Sequence, residues 1–295
     1  MHACSEDGER MDETIQPEIK REAATWLSAA RGFVLDMDGV LYRGNQLIPE
    51  VPEFLNSLRR AGIPFAMATN NSTLSPAQYV QKLGGMGIDV DEHTIVTSGV
   101  ATAAYLKSRF PKGTRAYVVG MAALREAVFG DGYFEPATRG VDVVISGADF
   151  ELVYESLKIA CLCLRAGAAY VATNADVTYP SEEGLIPGSG TIVAALRACT
   201  GVEPVVVGKP GAVLTLSAIE ILGTEPAQTV MLGDRLDTDI LSGQAAGTRT
   251  VLVLTGVSDR AEIEQTGIRP DLVVNTLAEL TVFYDSVPVH GRAGA

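Results

Sequence analysis

Two pairs of acidic residues stand where apolar runs end, and they carry the clearest chemistry in the sequence. Asp36 and Asp38 follow one run, and residues i and i+2 of an extended backbone project to one side, so both carboxylates point out of the strand end. Asp234 and Asp239 follow another run. Neighbouring carboxylates repel each other and must bind a proton or share a cation. Because hard oxygen ligands select Mg2+ over zinc or copper, four acids in one crevice predict a Mg2+ site.

Residues suited to phosphoryl oxygens follow two further apolar runs. Thr69, Asn70 and Asn71 offer a hydroxyl, side-chain amides and backbone N–H groups at a strand end. A competing interpretation is that Asn71 and the serines after it only form turns and helix caps. Lys209 follows the other run, where it is either a fixed positive charge for an anionic ligand or a solvated surface group. From these residues alone, both alternatives stay open.

Short apolar runs alternate with helix-length segments along most of the chain. The runs lack polar alternation, which is typical of parallel strands that are covered on both faces. This order predicts an α/β fold with a doubly wound parallel sheet, whose ligands bind at the carboxyl ends of the strands. Asp237 is predicted to be the N-cap of a helix that starts at residue 238. The predicted strands of this sheet are 33–35, 65–68, 205–207, 230–232, 251–254 and 272–274.

The middle of the chain repeats the pattern on a smaller scale. Its candidate strands are 116–119, 141–146 and 169–172, which suffice for a second, smaller α/β domain. Because sheet-forming halves flank this segment, an insertion into the first domain is more economical than a tandem arrangement. The predicted division is a lead-in at 1–30, a core formed by 31–99 and 204–295, and an inserted domain at 100–203.

Composition excludes several classes of protein. The net charge of −13 disfavours partners that bind by bulk negative charge, such as nucleic acids and anionic membranes. No apolar stretch approaches the roughly 18 to 20 residues of a membrane span. The four cysteines form no CxxC pair and are not clustered with several histidines, so a zinc or disulfide framework is not expected. Cys161 and Cys163 are predicted to be buried, reduced thiols, in keeping with a reducing cytoplasm.

The motifs together resemble a known enzyme superfamily. They occur in the order Asp36-Met37-Asp38-Gly39-Val40, Thr69-Asn70-Asn71-Ser72, Lys209 and Gly233-Asp234-Arg235-Leu236-Asp237-Thr238-Asp239. This order is similar to the four motifs of the haloacid dehalogenase (HAD) superfamily of phosphohydrolases. The insert resembles subfamily IIA, which includes NagD-like nucleotide phosphatases, phosphoglycolate phosphatases and p-nitrophenyl phosphatases. The resemblance implies a HAD-like Rossmannoid core with an inserted α/β cap domain of the C2 type.

The resemblance also implies a mechanism. Asp36 is implied to attack phosphorus and form an aspartyl-phosphate, while Asp38 protonates the leaving alkoxide and later activates water. Mg2+ is implied to be held by the Asp36 carboxylate, the main-chain carbonyl of Asp38 and the carboxylate of Asp234. Asp239 is implied to order metal-bound waters. The expected activity is Mg2+-dependent hydrolysis of a phosphomonoester.

Substrate contacts are implied by the same resemblance. Thr69, the Asn70 backbone and Lys209 are expected to bind the phosphoryl oxygens. Asn174 and Asp176 of the cap are candidates for facing the leaving group, with an ordinary loop before the next helix as the open alternative. The expected partner is a small phosphorylated metabolite, with nucleotide, sugar, glycerol and glycolate phosphates all open. Caps of this kind often mediate homodimers, so a homodimer through the cap is a further expectation.

Other activities are weighed against this one. A phosphomutase or phosphotransferase would use the same aspartyl-phosphate and remains the main alternative. A receiver-like phospho-Asp signalling module needs neither a second aspartate two residues on nor a long insert. The phosphate-binding patterns GxGxxG and GxxxxGK[ST] are absent from the expected positions. Some phosphatases of subfamily IIA carry a histidine shortly after the Thr-Asn pair, where this chain has Val177-Thr178-Tyr179.

Overall fold

The fold is described by a computed structural model that covers Ile19, residues 21–181 and residues 183–286. Within these residues the strands are β1 (Gly32–Leu35), β2 (Tyr42–Arg43), β3 (Gln46–Leu47), β4 (Phe65–Thr69), β5 (Ile95–Thr97), β6 (Arg115–Val119), β7 (Glu135–Pro136), β8 (Val143–Ser146), β9 (Ala169–Ala172), β10 (Thr178–Ser181), β11 (Gly184–Pro187), β12 (Val205–Val206), β13 (Thr229–Gly233), β14 (Arg249–Val253) and β15 (Leu272–Val274).

The α-helices in the same residues are α1 (Arg21–Ala29), α2 (Val51–Arg60), α3 (Pro76–Gly85), α4 (Ser98–Arg109), α5 (Ala122–Phe129), α6 (Tyr154–Arg165), α7 (Ser189–Thr200), α8 (Ala212–Leu222), α9 (Leu241–Ala246), α10 (Arg260–Thr266) and α11 (Ala278–Ser286). None of the helices in the described residues is long and apolar enough to cross a membrane.

The larger sheet is parallel throughout and has the strand order β15-β14-β13-β1-β4-β5. Every residue of β1 is buried, which explains why the strand lacks polar alternation. Phe33 packs against α2 and α11 through edge-on contacts with Phe54 and Tyr284, while Val34 faces the other side, towards α8. Helices therefore cover both faces of the sheet, and the predicted doubly wound α/β fold is confirmed.

A second parallel sheet has the strand order β12-β9-β8-β6-β7. Strand β12 pairs with β9 of this smaller sheet and with no strand of the larger one among the described residues. Residues 205–206 therefore differ from the predicted division, which assigned them to the core. An antiparallel hairpin formed by β10 and β11 lies between β9 and α7. We call this smaller sheet, with its helices and its hairpin, the cap.

Two local predictions differ from the structure. Strand β5 at the edge of the larger sheet was not predicted, because only two of its three residues, Ile95 and Val96, are apolar. The prediction that Asp237 is a helix N-cap is wrong. The turn before α9 is a π-helix, Leu236–Ile240, and the Asp237 carboxylate pairs with the Arg235 guanidinium at 2.8 Å. The carboxylate that accepts backbone N–H groups at this turn belongs to Asp239, which bonds those of Asp234 and Arg235.

Candidate active site

The predicted site residues lie at one edge of the larger sheet. Strand β1 is flanked by β13 and β4, and because all three strands are parallel their carboxyl ends meet at the same edge. The Asp36 backbone N–H donates to the Leu232 carbonyl at 2.8 Å, which extends the strand pairing up to the first acid. Asp36, Thr69 and Asp234 are all buried there.

Three carboxylates form one buried cluster. Asp36, Asp234 and Asp239 each place an oxygen within 4.8 Å of the others. Burial, opposed by Lys209 and reinforced by Asp239, raises the pKa of Asp36 to about 7. Burial, with the charges of Asp239 and Asp36, raises the pKa of Asp234 to about 8. The Asp38 side chain is exposed and does not belong to the cluster.

Lys209 lies between two members of this acidic cluster. Its side chain is only 3% exposed. The ammonium pairs with the Asp36 carboxylate and with Asp239 Oδ1 at 2.7 Å, and donates to the Ala68 carbonyl at 3.1 Å. Burial alone lowers the pKa of Lys209, but Asp239 and Asp36 outweigh burial and raise it above its ordinary value. The lysine is therefore a fixed, buried cation, and the alternative of a solvated surface group is ruled out.

The donor set of the cluster fits a hard divalent cation. Asp234 Oδ1 is buried and has no hydrogen-bond partner among the described residues, while its Oδ2 accepts the Val257 N–H at 2.8 Å. A Cβ atom on Gly39 or on Gly256 would overlap the Asp234 carboxylate, so both glycines are required for this close approach. Carboxylate oxygens without protein donors are the ligands that Mg2+ prefers. The residues present therefore match a Mg2+ site.

Asn70 connects the sheet edge to the cap. Its Oδ1 accepts the Lys209 backbone N–H at 2.7 Å, and its Nδ2 donates to the Lys209 carbonyl at 3.0 Å. The same Nδ2 donates to Asp176 Oδ2 at 3.1 Å, and the Asn174 amide donates to the Asn70 carbonyl at 2.7 Å. One asparagine thus links the end of β4 to Lys209 and to residues 174–176 of the cap.

Thr69 and Asn71 flank this asparagine in different roles. Thr69 Oγ1 accepts the Asn71 backbone N–H at 3.2 Å. Asn71 Oδ1 accepts the Thr73 backbone N–H at 2.7 Å, which is the predicted turn, while its Nδ2 donates to the Tyr179 hydroxyl at 3.2 Å. Ser75 forms a capping box at the start of α3. The turn interpretation therefore describes Asn71 correctly, but the residue also contacts the cap.

Two family models and several known proteins match this chain in sequence. Residues 33–133 match the family described as haloacid dehalogenase-like hydrolase, and residues 206–280 match a HAD-hydrolase-like family. The 5'-nucleotidase YutF of Bacillus subtilis is 35% identical over 249 residues, which cover 84% of this chain and 96% of that protein. The chain belongs to the HAD superfamily. The matched segments contain all four motifs that the sequence analysis identified.

Two further relatives place this HAD protein within subfamily IIA. The dihydroxyacetone phosphatase of Corynebacterium glutamicum is 39% identical over 253 residues, covering 86% of this chain and 91% of the relative. The crystal structure of a 4-nitrophenylphosphatase from Thermotoga maritima superposes with a TM-score of 0.82 and 38% identity, covering 87% of this chain and 98% of that one. The protein is a phosphatase of the HAD superfamily, and the predicted membership of subfamily IIA is confirmed.

Sequence reasoning missed several residues that surround the site of this HAD phosphatase. The Tyr179 ring from the cap contacts the Phe150 ring edge-on at 5.1 Å and receives the hydrogen bond from Asn71. Lys82 of α3 places its ammonium 3.9 Å from the centroid of the Tyr42 ring. Neighbouring groups partly desolvate the otherwise exposed Asp38 carboxyl and raise its pKa, and the Lys82 charge opposes that rise. No local sequence pattern predicts these contacts, because each of them joins distant parts of the chain.

Proposed function

We propose that the protein is a Mg2+-dependent phosphomonoester hydrolase that acts through an aspartyl-phosphate on small organic phosphates. The buried cluster of Asp36, Asp234 and Asp239, with Lys209 between two of its members, carries this proposal. Such an arrangement offers a nucleophilic carboxylate, oxygen ligands for a divalent cation and a fixed positive charge within one crevice. These are the groups that in-line phosphoryl transfer requires.

The metal would be held by the carboxylates of Asp36 and Asp234, together with the main-chain carbonyl of Asp38. When bound, Mg2+ neutralises the clustered acids and the charge that develops on the phosphoryl group. Both oxygens of Asp239 have protein partners, Lys209 on one side and backbone N–H groups on the other. We therefore assign Asp239 the role of orienting Lys209 and any metal-bound water.

The reaction divides into two displacements. In the first, an Asp36 carboxylate oxygen attacks phosphorus while the ester oxygen leaves with a proton from Asp38. In the second, Asp38 takes a proton from water, which attacks the phosphoryl group and releases Asp36. The exposure of Asp38 suits this role, because its carboxyl must reach both the leaving group and water. Thr69 and Lys209 stabilise the remaining phosphoryl oxygens throughout.

The substrate is proposed to be a small phosphomonoester, a class that includes nucleotide, sugar, glycerol and glycolate phosphates. The three relatives are named for a nucleotide, for dihydroxyacetone phosphate and for 4-nitrophenyl phosphate, which are chemically unlike leaving groups. In the structure Asn174 and Asp176 bind Asn70, so we propose that they position the phosphate-binding asparagine. Tyr179 is then better placed than either to contact a leaving group.

A cytoplasmic location and a homodimer formed through the cap stay predictions.

The proposal is tested by the release of p-nitrophenol from p-nitrophenyl phosphate with and without Mg2+. We expect hydrolysis that EDTA abolishes and that Asp36→Asn lowers by about 10³-fold or more, since the nucleophile is lost. Asp237→Asn is the matched control, because it removes an acid of the same motif whose carboxylate pairs with Arg235 outside the cluster. Full activity of Asp36→Asn, or undiminished activity in EDTA, would contradict the proposal.

A further inference from the structure

Two cysteines that are far apart in the sequence lie side by side on the cap. Helices α6 and α7 pack against each other, and the Arg165 guanidinium of α6 donates to the Cys199 carbonyl of α7 at 2.9 Å. Cys161 precedes Arg165 by one helical turn and therefore lies on the same face of α6. The Cys161 and Cys199 thiols lie near enough to interact with each other, while Cys199 Sγ donates to the Leu196 carbonyl of its own helix at 3.3 Å.

The surroundings of this thiol pair differ from those of the third cysteine on these helices. Cys199 is exposed and Cys161 is partly exposed, and both are free thiols. Cys163, two residues along α6, is only 6% exposed and turns its sulfur towards the Thr138 carbonyl at 3.8 Å. The prediction of buried thiols therefore holds for Cys163 and is wrong for Cys161.

The segment between the paired thiols contains the part of the cap that reaches the active site. It begins in the last turn of α6, runs through β9 and the β10–β11 hairpin, and returns along α7. Asn174, Asp176 and Tyr179, which contact Asn70 and Asn71 of the sheet edge, all belong to it. A covalent link between Cys161 and Cys199 would close this segment into a loop and limit its motion relative to the two helices.

We propose that Cys161 and Cys199 are a thiol-modification site that forms a reversible disulfide with a low-molecular-weight disulfide as the oxidant. The exposed Cys199 thiolate attacks one sulfur of the oxidant, which breaks its S–S bond and releases one thiol as a mixed disulfide forms. Cys161 then loses its proton and attacks the Cys199 sulfur, which releases the second thiol and leaves the protein disulfide. Two protein thiols are oxidised and one small disulfide is reduced to two thiols.

The pH dependence of the exchange follows from the thiol environment. Burial and the neighbouring Cys161 raise the pKa of Cys199, against a smaller opposing effect of Arg165. Because the thiolate is the attacking form, exchange becomes faster as pH rises. Because the pKa of Cys199 lies above the ordinary thiol value, exchange should be slow near neutral pH and become faster as pH rises past about 8.5. This proposal does not depend on the phosphatase chemistry.

The test equilibrates the full chain with mixtures of oxidised and reduced glutathione, followed by acid quenching, alkylation and peptide mass spectrometry. We expect a peptide pair joined through Cys161 and Cys199, two of the chain's four thiols lost, and full recovery with excess reduced glutathione. Cys163→Ala is the matched control and should keep the link. Cys161→Ser should instead trap a stable glutathione adduct on Cys199.

Three outcomes would overturn the proposal. The first is a glutathione adduct on wild-type Cys199 that never resolves into the Cys161 link at any glutathione ratio. The second is a disulfide that joins other cysteines while Cys161 and Cys199 stay alkylated. The third is complete retention of both thiols at the most oxidising ratio. Because each outcome is read from peptide masses, none of them depends on activity or on the folding of a variant.

Discussion

Asp36 and Asp38 are two residues apart, yet their environments are opposite. Asp36 is buried beside Lys209 and two other acids, whereas Asp38 is exposed at the start of the turn that Gly39 makes with φ +81°. A nucleophile benefits from a fixed, dry position, and a proton donor that also serves water benefits from an accessible one. The division of labour therefore follows from where β1 ends, since Asp36 is still paired with β13, whereas Asp38 bridges to Tyr42 of β2.

This difference predicts how Asp38→Asn behaves. The amide can neither protonate the leaving group nor activate water, so we expect kcat with p-nitrophenyl phosphate to fall by about 10²-fold or more. The Mg2+ concentration for half-maximal activity should stay within about threefold, because the Asp38 side chain lies outside the carboxylate cluster. Titration of residual activity with Mg2+ measures both quantities. A large rise in the half-saturating Mg2+ concentration would show that the Asp38 carboxylate is itself a ligand.

At the level of elements, Asn70 joins the end of β4 to two other stretches of chain. Its amide bonds both backbone groups of Lys209, and Asn174 and Asp176 of the cap bind its carbonyl and its Nδ2. Lys209 can hold its ammonium between two acids only if its backbone is fixed, and the side chain of Asn70 fixes that backbone. The position of a charge in the site is thus set by hydrogen bonds between segments.

Asn70→Ala should therefore weaken both the fold and the site. Removal of the amide leaves the buried Lys209 N–H without its acceptor, so we expect a loss of about 2 kcal/mol in the free energy of unfolding. We also expect kcat/KM to fall by about tenfold or more, because Lys209 is no longer held against Asp36. Denaturant titration and steady-state kinetics provide the two readouts. Asn56→Ala, which removes an exposed asparagine on α2, should change neither; unchanged kcat/KM in Asn70→Ala would contradict the positioning role.

How much of this was predictable depends on the sequence distance over which each contact acts. The convergence of Asp36, Thr69 and Asp234 followed from apolar runs alone, because the carboxyl ends of parallel strands meet at one edge. The partners of Lys209 and the pairing of Cys161 with Cys199 did not follow. Those contacts depend on how strands and helices pack, which a one-dimensional pattern does not contain.

Asp237 and strand β12 show the same limit of prediction from sequence patterns. Asp237 has the residue type and position of an N-cap, but its carboxylate pairs with Arg235, and neither the π-helical turn nor α9 begins with a side-chain cap. Strand β12 is as apolar as the strands of the larger sheet, yet it pairs with β9 of the smaller one. Composition and spacing predict that a strand or a helix-capping residue exists. Three-dimensional packing decides which strand it pairs with or which group its side chain contacts.

At the scale of the whole molecule, three of the acids that contribute to the net charge of −13 are buried together in the site. One ammonium, that of Lys209, faces two of the three clustered carboxylates, and Asp234 Oδ1 has no partner among the described residues. Without a cation, the folded state must either bind protons at these acids or accept their repulsion. The stability of the metal-free protein is therefore expected to depend on pH in the range where these acids titrate.

The sign of that dependence follows from the raised pKa values. In the unfolded chain the pKa of each acid is 3.8, whereas in the fold it rises to about 7 for Asp36 and to about 8 for Asp234. A folded state that holds protons more tightly is favoured at low pH and loses this advantage as pH rises through the folded pKa. The Tm of EDTA-treated protein should therefore fall between about pH 5 and 8 and level off above. Added Mg2+ should restore it at pH 8.5, because the cation binds the ionised carboxylates.

Asp234→Asn isolates the contribution of the cluster. Loss of the buried charge should raise the Tm of the metal-free protein at pH 8.5 by about 3 °C or more, flatten its decline with pH and abolish the response to Mg2+. Thermal unfolding from pH 5 to 8.5, with EDTA and with Mg2+, measures all three effects, and Asp237→Asn should behave as the wild type because its carboxylate pairs with Arg235 outside the cluster. A variant that is less stable than the wild type at pH 8.5 without metal would mean that Asp234 is held by contacts worth more than its burial costs. In that case the destabilisation caused by the buried, ionised Asp234 carboxylate would be smaller than the stabilisation from its contacts, and the folded cluster would be stable without a cation.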